Sequence, residues 1–158
     1  MKIYYREKSG GIEILRCFGI EGRVEIPGMI DDKLVISAAP YAFSSHMDEK
    51  EDLKNASLWE VSDGLEFGRE EHVLAGNDVE EIVFPYTLKE IGRYIFYGCG
   101  NLKKLEFSDS LMQIGCGAFT GCHALEKLTV HMRQGKKSGV KEMLGEMWQR
   151  IDVNFLYE

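Results

Sequence analysis

Two consecutive stretches, "VEEIVFPYTLKEIGRYIFYGCGN" at residues 79–101 and "LKKLEFSDSLMQIGCGAFTGCHA" at 102–124, match each other without a gap at an offset of 23 residues. A third copy opens with "LEKLTV" at Leu125. The matching positions carry mostly apolar residues, glycine or cysteine: Val79/Leu102, Ile82/Leu105, Phe84/Phe107, Leu88/Leu111, Ile91/Ile114, Gly92/Gly115, Ile95/Ala118, Phe96/Phe119, Gly98/Gly121 and Cys99/Cys122. A unit of this length cannot bury its apolar side alone, so the repeat predicts coils stacked around one continuous core.

Each copy opens with a short segment that alternates apolar and polar residues, as a strand does. These segments, "VEEIVF", "LKKLEF" and "LEKLTV", are expected to lie side by side in a parallel sheet. Gly92 and Gly115 are expected to turn the chain after a second extended piece. The return segment then brings Phe96 and Phe119 into the core.

A looser copy precedes these, with the sequence "VEIPGMIDDKLVISAAPYAFSSH" at residues 24–46. It aligns Ile26 with Phe84 and Phe43 with Phe96. The interval is 17 residues in this copy and 12 in the regular one, so we predict an insertion of five residues within "GMIDDKL".

The two ends of a solenoid need caps, because the last coils would otherwise expose the core. At the front, Ser9-Gly10-Gly11 predicts a hairpin. Near the end, six apolar residues lie on one helical face that follows Ser138 as the expected N-cap. They are Val140, Met143, Leu144, Met147, Trp148 and Ile151. The segment "DVNFLY" then predicts a closing strand.

Residues 47–78 interrupt the repeat. "MDEKEDLKNA" is typical of a short charged helix, and "LWEVSDGLEF" predicts a hairpin about Asp63-Gly64. The acidic run "DEKED" is interpreted as a solvated helix face, with a docking patch as the alternative.

The whole chain is therefore expected to form a single domain. Its predicted parts are a hairpin cap (1–23), a divergent repeat (24–46), an interruption (47–78), regular repeats (79–130) and a C-terminal cap (131–158).

The pattern L-x-x-I-x-(L/F)-P-x-x-L-x-x-I-G-x-x-A-F-x-x-C in residues 79–130 closely resembles the BspA-like leucine-rich repeats, whose unit has 23 residues. The resemblance implies a right-handed, β-rich α/β solenoid that binds macromolecules or surfaces and has no conserved chemistry. Cys99 and Cys122 match the cysteine of the family, whereas the divergent copy has His46 near that position. Ser108 departs from the pattern, because Pro85 holds its place in the preceding copy.

The charge and the apolar content of the chain indicate which classes of partner it is expected to bind. A net charge of −7 and a sequence pI near 5.2 argue against nucleic acid, because phosphate binding needs a clustered basic surface. No apolar run is long enough for a membrane span or a signal peptide. We therefore expect a cytoplasmic protein, with the cell surface or the exterior as the alternative for a trimmed chain. No cofactor is expected.

The adjacent Cys122 and His123 raise the alternative of an enzyme, as do the carboxylates of the interruption. The repeat, however, places Cys99 and Cys122 at equivalent positions on adjacent coils, which favours buried thiols that pack as small apolar residues. A disulfide between them and a metal or nucleophilic site are the alternatives. Sparse cysteines without paired C-x2–4-C spacing argue against zinc, so neither a catalytic nor a metal-binding residue is predicted.

The preferred function is a non-catalytic module that binds a protein or a surface glycan. Tyrosines at repeat positions that are small or polar in the next copy are expected to be exposed and to form an aromatic patch, which suits protein or glycan contact. The candidate contact residues are these tyrosines, together with charged side chains between the buried strand positions. They are Glu80, Glu81, Lys103, Lys104, Glu106, Lys127, Tyr86, Tyr94 and Tyr97. The competing interpretation of the charges is a ladder of cross-strand pairs, since Glu80, Lys103 and Glu126 alternate in sign.

Overall fold

A computed structural model of the chain describes residues 1–46, 53–61, 70–135, 137–145 and 150–158. They form a β-rich solenoid of about five turns with almost no helix, as the sequence predicts. The strands are β1 (Lys2–Lys8), β2 (Gly11–Gly19), β3 (Arg23–Glu25), β4 (Met29–Ile30), β5 (Lys33–Ala38), β6 (Ser57–Glu60), β7 (His72–Val73), β8 (Glu81–Val83), β9 (Glu90–Ile91), β10 (Lys104–Ser108), β11 (Gln113–Ile114), β12 (Lys127–Met132) and β13 (Asp152–Tyr157). The helical elements are a 3-10 turn (Gly76–Asp78) and helix α1 (Val140–Leu144).

One side of the solenoid is a five-stranded sheet in the order β13-β12-β10-β8-β3, in which every pairing is parallel. Leu105 of β10 lies opposite Ile82 of β8 and Leu128 of β12. Val24 of β3 also lies opposite Ile82. The register is therefore the one that the sequence alignment of the copies predicts, including the divergent copy.

The second side is a sheet in the order β11-β9-β5-β2-β1-β6. Its strands β11, β9, β5 and β2 are parallel, and β2 turns back onto β1 through an antiparallel hairpin. Ser9 and Gly10 form the turn with φ of 52° and 80°, which matches the twist of the flanking strands. The N-terminal hairpin that the sequence predicts is therefore present and extends this sheet.

The core between the sheets contains a row of phenylalanines, one from each successive coil. Ring centroids lie 6.1 Å apart between Phe43 and Phe96, and 5.7 Å apart between Phe96 and Phe119. Phe43 and Phe96 are fully buried. Burial of each such side chain contributes about 1.5–3 kcal/mol to stability.

Gly92 and Gly115 lie where the backbones of adjacent coils approach each other. A Cβ on Gly115 would lie 2.2 Å from the amide nitrogen of Arg93, and one on Gly92 would lie 2.3 Å from the nitrogen of Pro40. The sequence predicts these glycines as turn residues. The structure shows that glycine is needed at both positions because any side chain there would clash with the backbone of the adjacent coil.

The predicted insertion in the divergent copy is a small hairpin. Met29–Ile30 pairs antiparallel with the first residues of β5, and Asp31 and Asp32 form the turn with φ of 53° and 61°. The insertion therefore lies within the predicted segment, and the chain rejoins the common register at Ser37, opposite Glu90.

The chain leaves the coil of the divergent repeat (the first coil) after Phe43 and returns to it at Gly76. The Gly76 amide donates to the Phe43 carbonyl at 2.8 Å, as the Cys99 amide donates to the Phe96 carbonyl at 3.0 Å. Gly76 therefore holds the cysteine position in this coil, and the sequence-based placement of His46 there is wrong.

Only parts of the interruption are described. Its strands β6 and β7 pair antiparallel with β1 and β2 respectively. Most of the predicted charged helix, and the hairpin predicted about Asp63-Gly64, lie outside the described residues.

Only part of the predicted C-terminal helix can be compared with the structure, because Met147 and Trp148 lie outside the described residues. Helix α1 is five residues long, its cap position is Gly139 rather than Ser138, and Ile151 lies in a turn that leads into β13. The Ser138 hydroxyl still accepts the Val140 amide at 3.2 Å. The closing strand β13 covers the predicted segment "DVNFLY", and it pairs in parallel with β12.

Candidate functional site

The thiols of the repeated cysteines point into the solenoid and bond to the backbone of the preceding coil. The Cys99 thiol donates to the Phe43 carbonyl at 3.2 Å, and the Cys122 thiol donates to the Phe96 carbonyl at 3.3 Å. Burial raises the pKa of Cys99 to about 11 and the pKa of Cys122 to about 12. Because the thiolate is the nucleophile, both groups are poorly suited to nucleophilic chemistry near neutral pH.

The neighbouring histidine does not change this conclusion. His123 is exposed, whereas the Cys122 thiol is bonded to a carbonyl of the preceding coil. Both repeated cysteines are free thiols, so the disulfide alternative is not realised. Within the described part of the chain, no group of three His, Cys, Asp or Glu side chains could hold a metal ion.

The outer face of the five-stranded sheet carries most of the predicted charged residues. Lys104 of β10 lies directly between Glu81 of β8 and Lys127 of β12. Lys104 and Lys127 are exposed, and Lys103 is exposed one residue before β10. Among the described residues, none of these three lysines has a carboxylate oxygen within 4.0 Å. They form what we call the lysine cluster: Lys103, Lys104 and Lys127.

Two acidic residues of this face, Glu81 and Glu106, are paired, but with partners that sequence reasoning missed. The Glu81 carboxylate forms an ion pair with the Arg23 guanidinium, whose Nε lies 3.5 Å away. Glu106 contacts the His131 Nε2, and the His131 Nδ1 lies 2.7 Å from Glu158. The predicted ladder of Glu80, Lys103 and Glu126 forms no ion pair within the described residues, so the expected alternation does not account for this face.

Tyr86 belongs to the edge of the same face. Its ring centroid lies 4.9 Å from that of His131, and its hydroxyl donates to a Glu158 carboxylate oxygen at 3.3 Å. The side chain is 51% exposed. The structure therefore joins Tyr86 to the charged residues rather than to the other predicted tyrosines.

Tyr94 and Tyr97 form a separate aromatic cluster on the return segment. The Tyr94 ring stacks on Tyr41 with centroids 5.6 Å apart, and Tyr97 contacts both Tyr94 and His46. Tyr94 and Tyr97 are half-buried, so the expectation of one exposed patch with Tyr86 is wrong. Sequence reasoning missed Tyr41 and His46 because both lie in the divergent copy.

Residues 70–139 match the family model described as a BspA type leucine rich repeat region with six copies. A leucine rich cell surface protein from Faecalibacterium prausnitzii A2-165 is similar in structure, with a TM-score of 0.52 and 18% identity over 82% of this chain and 31% of that one. A leucine rich repeat protein from T. pallidum gives a TM-score of 0.40 and 22% identity over 99% of this chain and 80% of that one. This chain thus spans about a third of the length of the Faecalibacterium protein. No curated protein matches the chain.

None of the described helices has the length and apolar content that a membrane crossing requires. The location expected from the sequence stays a prediction.

Proposed function

We propose that this chain, a member of the BspA-type leucine-rich repeat family, is a non-catalytic module that binds an acidic surface of another protein through the outer face of its five-stranded sheet. The family and the similar structures support a protein-interaction or surface-binding module. The choice of face and of partner chemistry is our own inference from the geometry.

The observation that carries this proposal is the pairing of Lys104 with Lys127 across adjacent strands. Like charges directly opposite each other destabilise a sheet. Among the described residues neither lysine has a carboxylate oxygen within 4.0 Å, although Glu81 lies opposite Lys104 on its other side and the protein carries 26 acidic residues. A partner carboxylate placed over the lysine cluster would relieve the repulsion and improve electrostatic complementarity.

The packing of the thiols supports the non-catalytic part of the proposal. Cys99 and Cys122 repeat the same contact in successive coils, which is the behaviour of a structural residue in a solenoid. A nucleophile would need a lowered pKa, whereas burial raises both values.

A protein partner fits this surface better than a glycan. The expected tyrosine patch, which would suit contact with a protein or a glycan, is not formed, because Tyr86 does not join Tyr94 and Tyr97. The lysine cluster instead presents charges in rows spaced by neighbouring strands, which suits the carboxylates of a folded protein or an extended acidic segment.

Affinity capture with quantitative mass spectrometry tests the proposal through a pair of charge reversals. Lys104→Glu with Lys127→Glu should reduce the recovery of specific partners at least about tenfold, since the interface would lose its complementarity. The matched control is Lys54→Glu with Arg93→Glu, which reverses two exposed cations elsewhere. Each pair of reversals changes the net charge by −4, from −7 to −11.

The control variant should recover the partners of the wild type. Equal recovery by the wild type and the Lys104/Lys127 variant would remove the sheet face as the contact surface. Circular dichroism spectra of both variants should match the wild type, which separates lost binding from lost folding.

A further inference from the structure

A groove of about 620 Å³ lies at the turn between the two sheets, away from the lysine cluster. One wall comes from the turns of successive coils, which carry Lys89 and Met112. The other wall comes from the segment before and within helix α1, which carries Lys137 and Met143. The coil wall is rigid, because the Met112 amide donates to the Lys89 carbonyl at 2.7 Å and so continues the hydrogen bonding between coils.

The apolar lining of this groove is unusually exposed. Met112 is 73% exposed and Leu34 is 49% exposed, and Met143 of helix α1 is half-buried beside them. Isolated exposed apolar residues are normal, but several that converge in one concave site mark a binding surface. The groove therefore has room for a bulky apolar side chain.

The charged lining is basic in a protein that is acidic overall. Among the described residues that line the groove, three are cations, Lys89, Arg133 and Lys137, and one is a carboxylate, Asp109. Lys89 and Lys137 have no carboxylate oxygen within 4.0 Å among the described residues. The local excess of positive charge contrasts with the net charge of −7 for the whole chain.

The single carboxylate is part of the framework and holds one of the cations in place. The Asp109 side chain is fully buried, accepts the Arg133 amide at 2.7 Å and accepts the Arg133 Nε at 3.0 Å. The Ser138 hydroxyl donates to the Asp109 carbonyl at 3.2 Å, which ties the second wall to the first. Arg133 is therefore positioned at the groove before any ligand arrives, which reduces the entropic cost of binding.

From these contacts we infer that the groove is a second binding site, for an extended acidic segment of a partner protein with one bulky apolar side chain. The apolar side chain packs against Met112, Leu34 and Met143. Flanking carboxylates of the segment lie near Lys89 and Lys137, and a carboxylate can also bond to the guanidinium of Arg133. The exposed apolar lining distinguishes this ligand from an anionic polysaccharide, which has no side chain to bury there.

The test is a titration with a fluorescein-labelled heptapeptide that has one central leucine between two blocks of three glutamates. We expect saturable binding to the wild type with a Kd below about 1 mM at low ionic strength. Replacing the glutamates by glutamines, or the leucine by serine, should each weaken binding at least about tenfold, because each change removes one of the two forms of complementarity. Amide shifts in a nuclear magnetic resonance titration should be largest at Met112 and Gly139.

Two double variants with equal charge change locate the site. Lys89→Glu with Lys137→Glu should weaken peptide binding at least about tenfold, whereas Lys104→Glu with Lys127→Glu should leave it within about twofold. Met112→Ser, which changes no charge, should also weaken it. These results would support the groove even if the sheet face lost its proposed role, because the two surfaces share none of these residues.

Several outcomes would overturn the inference. They are absence of saturable binding to the wild type, equal binding of the glutamine peptide, and equal loss in both double variants. Shift changes confined to the five-stranded sheet would place the peptide elsewhere. Binding of a sulfated polysaccharide at Met112 and Gly139 without binding of the peptide would assign the groove to a different class of ligand.

Discussion

The ring of Tyr94 lies directly against Gly117 of the following coil, so that a Cβ added to Gly117 would lie 2.3 Å from the Tyr94 Cε1. Gly117 also has a φ of +67°, a region that side chains disfavour. The contact fixes the Tyr94 ring between Gly117 and the ring of Tyr41, which it stacks on. The missing side chain of Gly117 therefore determines where a tyrosine of the preceding coil can lie.

Gly117→Ala should consequently destabilise the protein by about 3 kcal/mol, from backbone strain together with displacement of the Tyr94 ring. Urea unfolding measures the free energy, and the near-ultraviolet circular dichroism of the tyrosines should change in the folded state. Gly135→Ala is the matched control. Gly135 has a φ of +74° but nothing within 4 Å of the added carbon, so the same strain is present without the clash. Equal losses in the two variants would show that the Tyr94 contact contributes nothing.

Gly115→Ala should be more damaging than Gly117→Ala. The added carbon would lie 2.2 Å from the nitrogen and 2.5 Å from the Cα of Arg93, and these backbone atoms cannot rotate away as a ring can. We expect a loss above about 3 kcal/mol, or insoluble protein, because adjacent coils would have to separate.

Gly139→Ala controls for the loss of a glycine as such, since it meets nothing within 4 Å. It should change the midpoint of thermal unfolding by only a few degrees, because replacing glycine by alanine at the N-cap of helix α1 costs about 1 kcal/mol or less. A Gly115→Ala variant as stable as the Gly139→Ala variant would contradict the close approach of the coils.

The parts of the fold that sequence could predict are those set by the repeat. Leu105 opposite Ile82 follows from the offset of 23 residues, and Val24 opposite Ile82 follows from the same alignment. Apolar positions in register leave few other ways to bury one face of every strand.

The parts that sequence could not predict depend on contacts between distant segments. Gly76 returns to the first coil after an interruption that begins near His46, and no local signal states where such an excursion ends. The Tyr41–Tyr94 stack likewise joins residues 53 positions apart, so it exists only once the coils are stacked. The charged candidates Glu81 and Lys104 were placed on one face, whereas the ion pair of Glu81 with Arg23 depends on side-chain geometry that the repeat does not determine.

The four thiols should differ sharply in reactivity. Cys116 is exposed, so it should react readily with a small disulfide reagent at neutral pH. Cys17, whose pKa burial raises to about 12, and the two repeated cysteines should react slowly in the native state. Titration with the reagent before unfolding counts the exposed thiols, and titration after unfolding counts all of them.

The variant Cys116→Ser should lack the fast phase in the native state, and its three remaining thiols should become reactive on unfolding. A fast phase that persists in this variant and depends on pH near neutrality would contradict the structural role of Cys99 and Cys122. It would also favour the enzyme alternative, because a purely structural role for the repeated cysteines does not require an activated thiol.

His131 should make the stability of the five-stranded sheet depend on pH. Partial burial lowers the pKa of His131, but the carboxylates of Glu106 and Glu158 outweigh this effect and raise the pKa above its usual value of 6.5. The other group against the ring is Tyr86. Because the folded pKa lies above the unfolded one, the stabilisation is fully present below about pH 6.5 and is lost as the pH rises through the folded pKa.

Urea unfolding at a series of pH values from about 6 to 9 should therefore show a free energy of unfolding that falls with rising pH. His131→Gln should remove that fall, since glutamine keeps hydrogen-bonding capacity without titrating. His72→Gln is the control, because His72 is exposed and makes no described ion pair. The same pH dependence in the His131→Gln variant and in the wild type would assign it to another group. A result confined to His131 would show that protonation links β12 to Glu106 of β10 on one side and to Glu158, which follows β13, on the other.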